Sequence, residues 1–144
     1  MDLTFQEKSL WISLITTVVM FGIYFFLAFN IILNPDVEGI PERFSIGALF
    51  TLVVIVVVII EAVTHTLLAI INKPDKEDER AKLVSLKATR NGAIVLAIGV
   101  WLSFASLAFS SMAPMLVAHL LLSSFILAEI VRFSSQLVYF RVGV

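Results

Sequence analysis

Four stretches of about 20 or more apolar residues run along this chain, and a hydrocarbon core of about 30 Å takes roughly that many helical residues to cross once. They extend over 10–33, 44–71, 91–112 and 115–140. Lipid offers no partner to a backbone N–H or C=O, so only helices or a closed barrel can span it. Barrel strands are about ten residues long and alternate in polarity, and a run such as Leu52-Val-Val-Ile-Val-Val-Val-Ile-Ile60 does neither. The expected fold class is therefore all-α: a polytopic membrane protein, a four-transmembrane-helix bundle forming a single membrane domain over 1–144. Composition agrees, with 60% hydrophobic and 15% charged residues, against about 45–50% and about 25% in soluble domains.

Several classes of function are excluded by what the chain contains. It has no cysteine, hence no disulfide, thiolate metal site or Cys nucleophile. A net charge of −1 gives no pull toward nucleic acid. No glycine-rich phosphate loop, no nucleophile beside a base and no full metal-ligand set is present, so neither a cofactor nor an enzymatic activity is implied. The first apolar stretch is too long for a signal peptide, and Asp2 and Glu7 flank it beside Lys8.

Loop charges set the orientation, because Lys and Arg near helix ends stay on the cytoplasmic side. The connection 72–90 holds Lys73, Lys76, Arg80, Lys82, Lys87 and Arg90, whereas 34–43 holds Arg43 alone and the hairpin 110–114 holds none. Both termini and the middle connection are thus expected in the cytoplasm (N-in, C-in), with Lys8, Trp11, Tyr139, Phe140 and Arg141 anchoring the inner interface. The short hairpin before Pro114 makes the third and fourth helices antiparallel neighbours.

Ionisable groups inside a span cost about 2.5–3.5 kcal/mol each on insertion scales and turn toward a partner, the bundle interior or water. Here they are Glu61 and His65 in the second span and Glu129 and Arg132 in the fourth. Glu61 lies eleven residues before Asn72, and Glu129 eleven before Phe140, which sets both about 16 Å from the same boundary at 1.5 Å per residue. Spacings of i,i+4 and i,i+3 put each pair on one helix face. The simplest arrangement is one polar cluster of four groups. It has a structural use, with Arg132 neutralising Glu129 and His65 hydrogen-bonding Glu61 to fix the packing. It also has a functional one, with Glu61 as a proton or cation site, His65 as relay, and Glu129 with Arg132 as a gating pair. A metal is disfavoured because Arg132 would repel it. His119 lies near the opposite face and is expected to be interfacial.

In the third span Ala88, Gly92, Gly99, Ser103, Ser106 and Ser110 recur near one face. Small residues let backbones approach, so this stripe is expected to be a helix-packing surface, within the chain or across a homo-oligomer, or else the lining of a water path, and the protein is expected to be homo-oligomeric. The middle connection has a helix start at Pro74-Asp75 and an Asp78–Lys82 pair at i,i+4, and is expected to run as a helix into the third span. Its basic residues serve topology and anionic headgroups, or else the 73–90 segment is offered to a cytoplasmic protein through Asp78, Glu79, Arg80 and Lys87. Thr4-Phe-Gln-Glu7 has capping-box spacing ahead of the first span.

Asp78-Glu-Arg80, followed by Leu83-Val-Ser-Leu-Lys87-Ala and a transmembrane helix, resembles a group of small prokaryotic four-helix integral membrane proteins with an Asp-Glu-Arg signature in the middle cytoplasmic loop. The resemblance implies a multi-pass protein of a prokaryotic inner membrane, and no catalytic residue. Two other classes of similar size do not fit. Small multidrug exporters carry a glutamate in the first helix, where 10–33 has no carboxylate, and glutathione-linked membrane enzymes carry an arginine-rich motif where this chain has His65 to Lys73 without arginine. Two functions follow as expectations: passage or coupling of a proton, cation or small solute at the Glu/His/Arg cluster, or a non-transporting membrane partner presenting 73–90 to a cytoplasmic regulator or enzyme.

Overall fold

The computed structural model describes residues 4–33, 42–71, 79–109 and 112–143. These form four helices: α1 (Phe5–Leu33), α2 (Glu42–Ile71), α3 (Glu79–Phe109) and α4 (Pro114–Val142). Each is long and apolar enough to cross a membrane. The protein is an all-α, multi-pass membrane protein whose large apolar side chains lie on its outside, among them Leu52, Ile55, Val58, Phe104 and Phe109. Such a surface belongs against lipid or another apolar protein surface.

Local chemistry sets the ends. Thr4 caps α1: its Oγ1 accepts from the Glu7 N–H at 3.2 Å, while Glu7 Oε2 accepts from the Thr4 N–H at 3.0 Å. Pro114, with no N–H to lose, opens α4, and Gly143 closes it in the left-handed region (φ 79°) with its N–H on the Tyr139 carbonyl at 3.2 Å. Arg80 Nη2 donates to the Phe140 carbonyl at 3.2 Å, placing a cation on the negative end of the α4 dipole. The third helix begins well before the apolar span expected at 91–112 and ends at Phe109. The polar turns Glu79–Arg90 continue into it without a break.

All packed pairs are antiparallel. The extensive interfaces are α3–α4, α1–α2 and α1–α4, so the packing order is α2, α1, α4, α3. The bundle is not closed, because α2 and α3 share no extensive interface. Between α3 and α4 the fit is tight. A methyl at Gly92 would come within 2.8 Å of the Ala128 carbonyl, and one at Gly99 would overlap Cβ and Oγ of Ser124. Val84 and Ala88 are fully covered on the same face. Asn91 adds hydrogen bonds across the pair, to Tyr139 Oη at 2.8 Å and Ser135 Oγ at 3.2 Å. α1 meets α2 differently at its two ends: an apolar group of Tyr24, Ala28 and Val53 with Met20, Phe25 and Leu49 at one, a polar cluster at the other.

Candidate functional site

The polar cluster stands where α2 crosses α1. Glu61 and His65, one turn apart, face α1, with His65 Nε2 2.6 Å from Glu61 Oε2. Ser13 and Ser9, also one turn apart, complete it from α1. Ser13 Oγ donates to Glu61 Oε2 at 2.9 Å and stands 3.1 Å from His65 Nε2. Ser9 Oγ lies 3.1 Å from His65 Nδ1. Ser13 is buried, while the side chains of His65 and Glu61 keep 35% and 25% of their surface, so the chain covers the cluster only in part.

These heavy-atom positions satisfy two proton arrangements. With Glu61 ionised and the ring neutral, Nε2–H donates to Glu61 and Ser9 donates to Nδ1. With Glu61 protonated, its O–H donates to Nε2 and Nδ1–H donates to Ser9. The second arrangement holds one proton more than the first, so passing to it takes a proton up at the Ser9 end, places one on Nδ1 and hands the Nε2 proton to Glu61 without displacing a side chain, the property a relay needs.

Arg132 holds Glu129 on α4, with Nε 3.1 Å from Oε2 and Nη2 closer still, and its guanidinium lies 4.4 Å above the Phe133 ring. No hydrogen bond or ion pair joins this pair to Glu61 or His65, so the single four-group cluster resolves into two pairs on α2 and α4. Tyr24 meets His119, and Ser9 and Gln136 line one cavity, a register that sets Ser13 level with Arg132 and Thr16 level with Glu129. The pairs share a level, but α1 packs on both α2 and α4, and the hydroxyls of α1, not the α4 pair, meet Glu61 and His65.

The other sequence candidates fall as follows. Gly92, Gly99 and Ser103 are buried on α3, with both glycines against α4, so this face is occupied within the chain. The hydroxyls of Ser103 and Ser106 bond their own helix, to the carbonyls of Gly99 and Ser103, both at 2.8 Å. Of the 73–90 segment, Glu79 is exposed, Lys87 half-buried and Arg80 engaged with α4, while Asp78 lies outside the described residues, as does Ser110 of the small-residue stripe. Among the described residues no three His, Cys, Asp or Glu gather into a metal set.

His119 departs from the interfacial reading. It is 5% exposed, wedged between α4 and α1. Its Nδ1 lies 2.8 Å from the Met115 carbonyl, which can only accept, so Nδ1 carries a proton. In the neutral ring Nε2 then accepts from Tyr24 Oη at 3.2 Å. Tyr24 stacks on the ring at 6.0 Å, with Phe25 and Phe29 at 6.4 and 6.5 Å. Tyr24→Phe keeps the stack but strands Nε2. The expected cost is about 1–3 kcal/mol, read as a lower midpoint of detergent-phase unfolding, and an unchanged midpoint would show that the bond contributes nothing.

Sequence reasoning missed Ser9, Ser13 and Tyr24. The signal for the serines was present: a second i,i+4 polar pair on the antiparallel neighbour, at the matching distance from the same boundary. Comparison with family models, with curated proteins and with solved structures finds no match. The four-helix layout is present, and the family suggested by Asp78-Glu-Arg80 is not identified.

Proposed function

We infer that this protein passes or couples a proton, or a cation or small solute moving with one, across its membrane at the Ser9–His65–Glu61–Ser13 row. The observation that carries the reading is a carboxyl group inside a span, hydrogen-bonded to an imidazole whose other nitrogen meets a hydroxyl that lines a cavity at the bundle end. A residue needed only to pin α2 onto α1 could be apolar or a hydroxyl, whereas a carboxyl group at this depth carries the insertion cost of an ionisable group. His65 is the relay, Glu61 the acceptor, and Ser9 and Ser13 hold the ring and the carboxyl in line. Glu129 and Arg132 form a neutral pair at the same level, suited to gating or to fixing α4. Loop charge assigns the Glu79–Arg90 side to the cytoplasm, and the resemblance assigns the membrane to a prokaryotic cell.

The alternative, a partner protein presenting 73–90, is supported by the exposed polar turns that open α3. Engagement of Arg80 with α4 removes one of its contact residues. The deciding experiment places purified protein in liposomes containing a pH-sensitive dye and imposes a pH gradient. Collapse of the gradient well above protein-free liposomes is expected, and no difference overturns the transport reading.

A further inference from the structure

One hydroxyl of the row belongs to two places at once. Ser9 Oγ stands 3.1 Å from His65 Nδ1, and Ser9 also lines a cavity of about 540 Å³ at the end of the bundle, between α1, α3 and α4. Of the row, Ser9 alone is in that wall; His65, Glu61 and Ser13 are not. Half of the wall is polar, from Gln6, Ser9, Lys82, Ser85 and Gln136. A cavity holds water when it is roomy and offers polar partners, and one water takes about 30 Å³ of the liquid. This cavity meets both conditions.

Its position gives the water a source. Lys82 and Ser85 are exposed and lie in the polar turns that open α3, on the side that loop charge assigns to the cytoplasm. The contact between Ser9 and His65 then decides what can cross from the cavity into the row. At 3.1 Å the two atoms are in hydrogen-bond contact, with no gap between them for an ion or a solute. A hydroxyl so placed passes a proton and nothing larger, giving its own to one neighbour while taking another on its far side.

We propose that this cavity is a water-filled vestibule open to the cytoplasm, that Ser9 is the point at which the row takes its proton, and that the proton itself, not a cation or solute, is what enters. The inference rests on the proton-transfer reading of the row and adds its entrance and its cargo. The step balances. A hydronium ion in the vestibule gives a proton to Ser9 Oγ and becomes water, the Ser9 proton passes to Nδ1, the Nε2 proton passes to Glu61 Oε2, and the arriving charge neutralises the carboxylate.

The chain has no cysteine, so a single introduced thiol reports on one position. Ser9→Cys, Ser85→Cys and Met112→Cys are treated with a charged, membrane-impermeant methanethiosulfonate in inside-out vesicles of a bacterial inner membrane and in intact spheroplasts. Ser9→Cys and Ser85→Cys are expected to react in the vesicles and not in the spheroplasts, and Met112→Cys, exposed ahead of the other end of α4, the other way round. Ser9→Cys that stays unreacted in vesicles, or reacts only in spheroplasts, overturns the vestibule. In proteoliposomes, a bulky disulfide-linked adduct on Ser85→Cys should remove most of the proton flux and its reduction should restore it. The same adduct on Leu83→Cys, exposed on α3 but outside the cavity wall, should leave the flux as in the parent. Replacing sodium and potassium by choline should change nothing, and a requirement for either ion overturns the proton as the entering species. Absence of flux in the parent removes the proton-transfer reading and this inference with it, whereas flux that survives the Ser85 adduct removes this inference alone.

Discussion

Glu61→Gln is expected to lower gradient-driven flux in liposomes by about 100-fold or more while the protein inserts and folds as before. The magnitude is that of removing a positioned proton-transfer group, about 10²–10⁴-fold. Glutamine has the same shape and can still accept from Ser13 and from His65 Nε2, so the α1–α2 contact at 2.9 and 2.6 Å persists. What it cannot do is take up and release a proton, and the second of the two proton arrangements is lost. Glu61→Asp separates chemistry from packing: it retains the titrating group but draws it back by one methylene, so flux should fall less than in Glu61→Gln. Parent-like flux in Glu61→Gln would show that the row is only a fastener between helices. His65→Gln should be impaired as well, because Ser9 and Glu61 meet opposite nitrogens of one ring.

The second large effect concerns α3 and α4. Gly99→Leu should prevent the two helices from seating, since even a methyl there overlaps Cβ and Oγ of Ser124. Gly99→Ala is expected to cost about 1–3 kcal/mol, the usual penalty of overfilling a packed interface, read as a lower midpoint in mixed-micelle unfolding. Gly99→Ala combined with Ser124→Gly removes the overlapping atoms and should recover most of that loss. Gly22→Ala is the matched control, because nothing lies within 4 Å of the added methyl. Equal effects at positions 22 and 99 would mean that helix propensity, not close approach, governs the response.

Hydropathy made the helices legible because immersion is a property of each segment alone. α1, α2 and α4 fall close to the apolar stretches at 10–33, 44–71 and 115–140, while α3 reaches back to Glu79, since helix continues through polar residues wherever water meets the backbone. Capping of α1 by Thr4 and Glu7 was readable for the same local reason. Neighbour relations were not. Only the hairpin before Pro114 is short enough to dictate one, and the α1–α4 contact depends on surfaces that lipid would satisfy equally well. The site divides along the same line. Spacing within α2 and α4 discloses the Glu61–His65 and Glu129–Arg132 pairs, and counting from the boundary discloses their shared level. Rotation about each axis is invisible to such counting, which is why one cluster was expected where α1 in fact supplies the partners of the α2 pair. Ser9 and Ser13 escaped notice because a hydroxyl in a span usually bonds its own helix. Thr51, Thr64 and Thr66 do so through the carbonyls of Gly47, Ile60 and Ala62.

The packing order also bears on how the molecule is made. The interface of α1 with α2 needs neither α3 nor α4, and that of α3 with α4 needs neither of the first two. Insertion can therefore proceed as two halves, each with its own interface satisfied, which the docking of α4 onto α1 unites. A chain severed within the middle connection would keep every interface that each half forms by itself, and only that last union would have to be found by diffusion in the plane of the membrane.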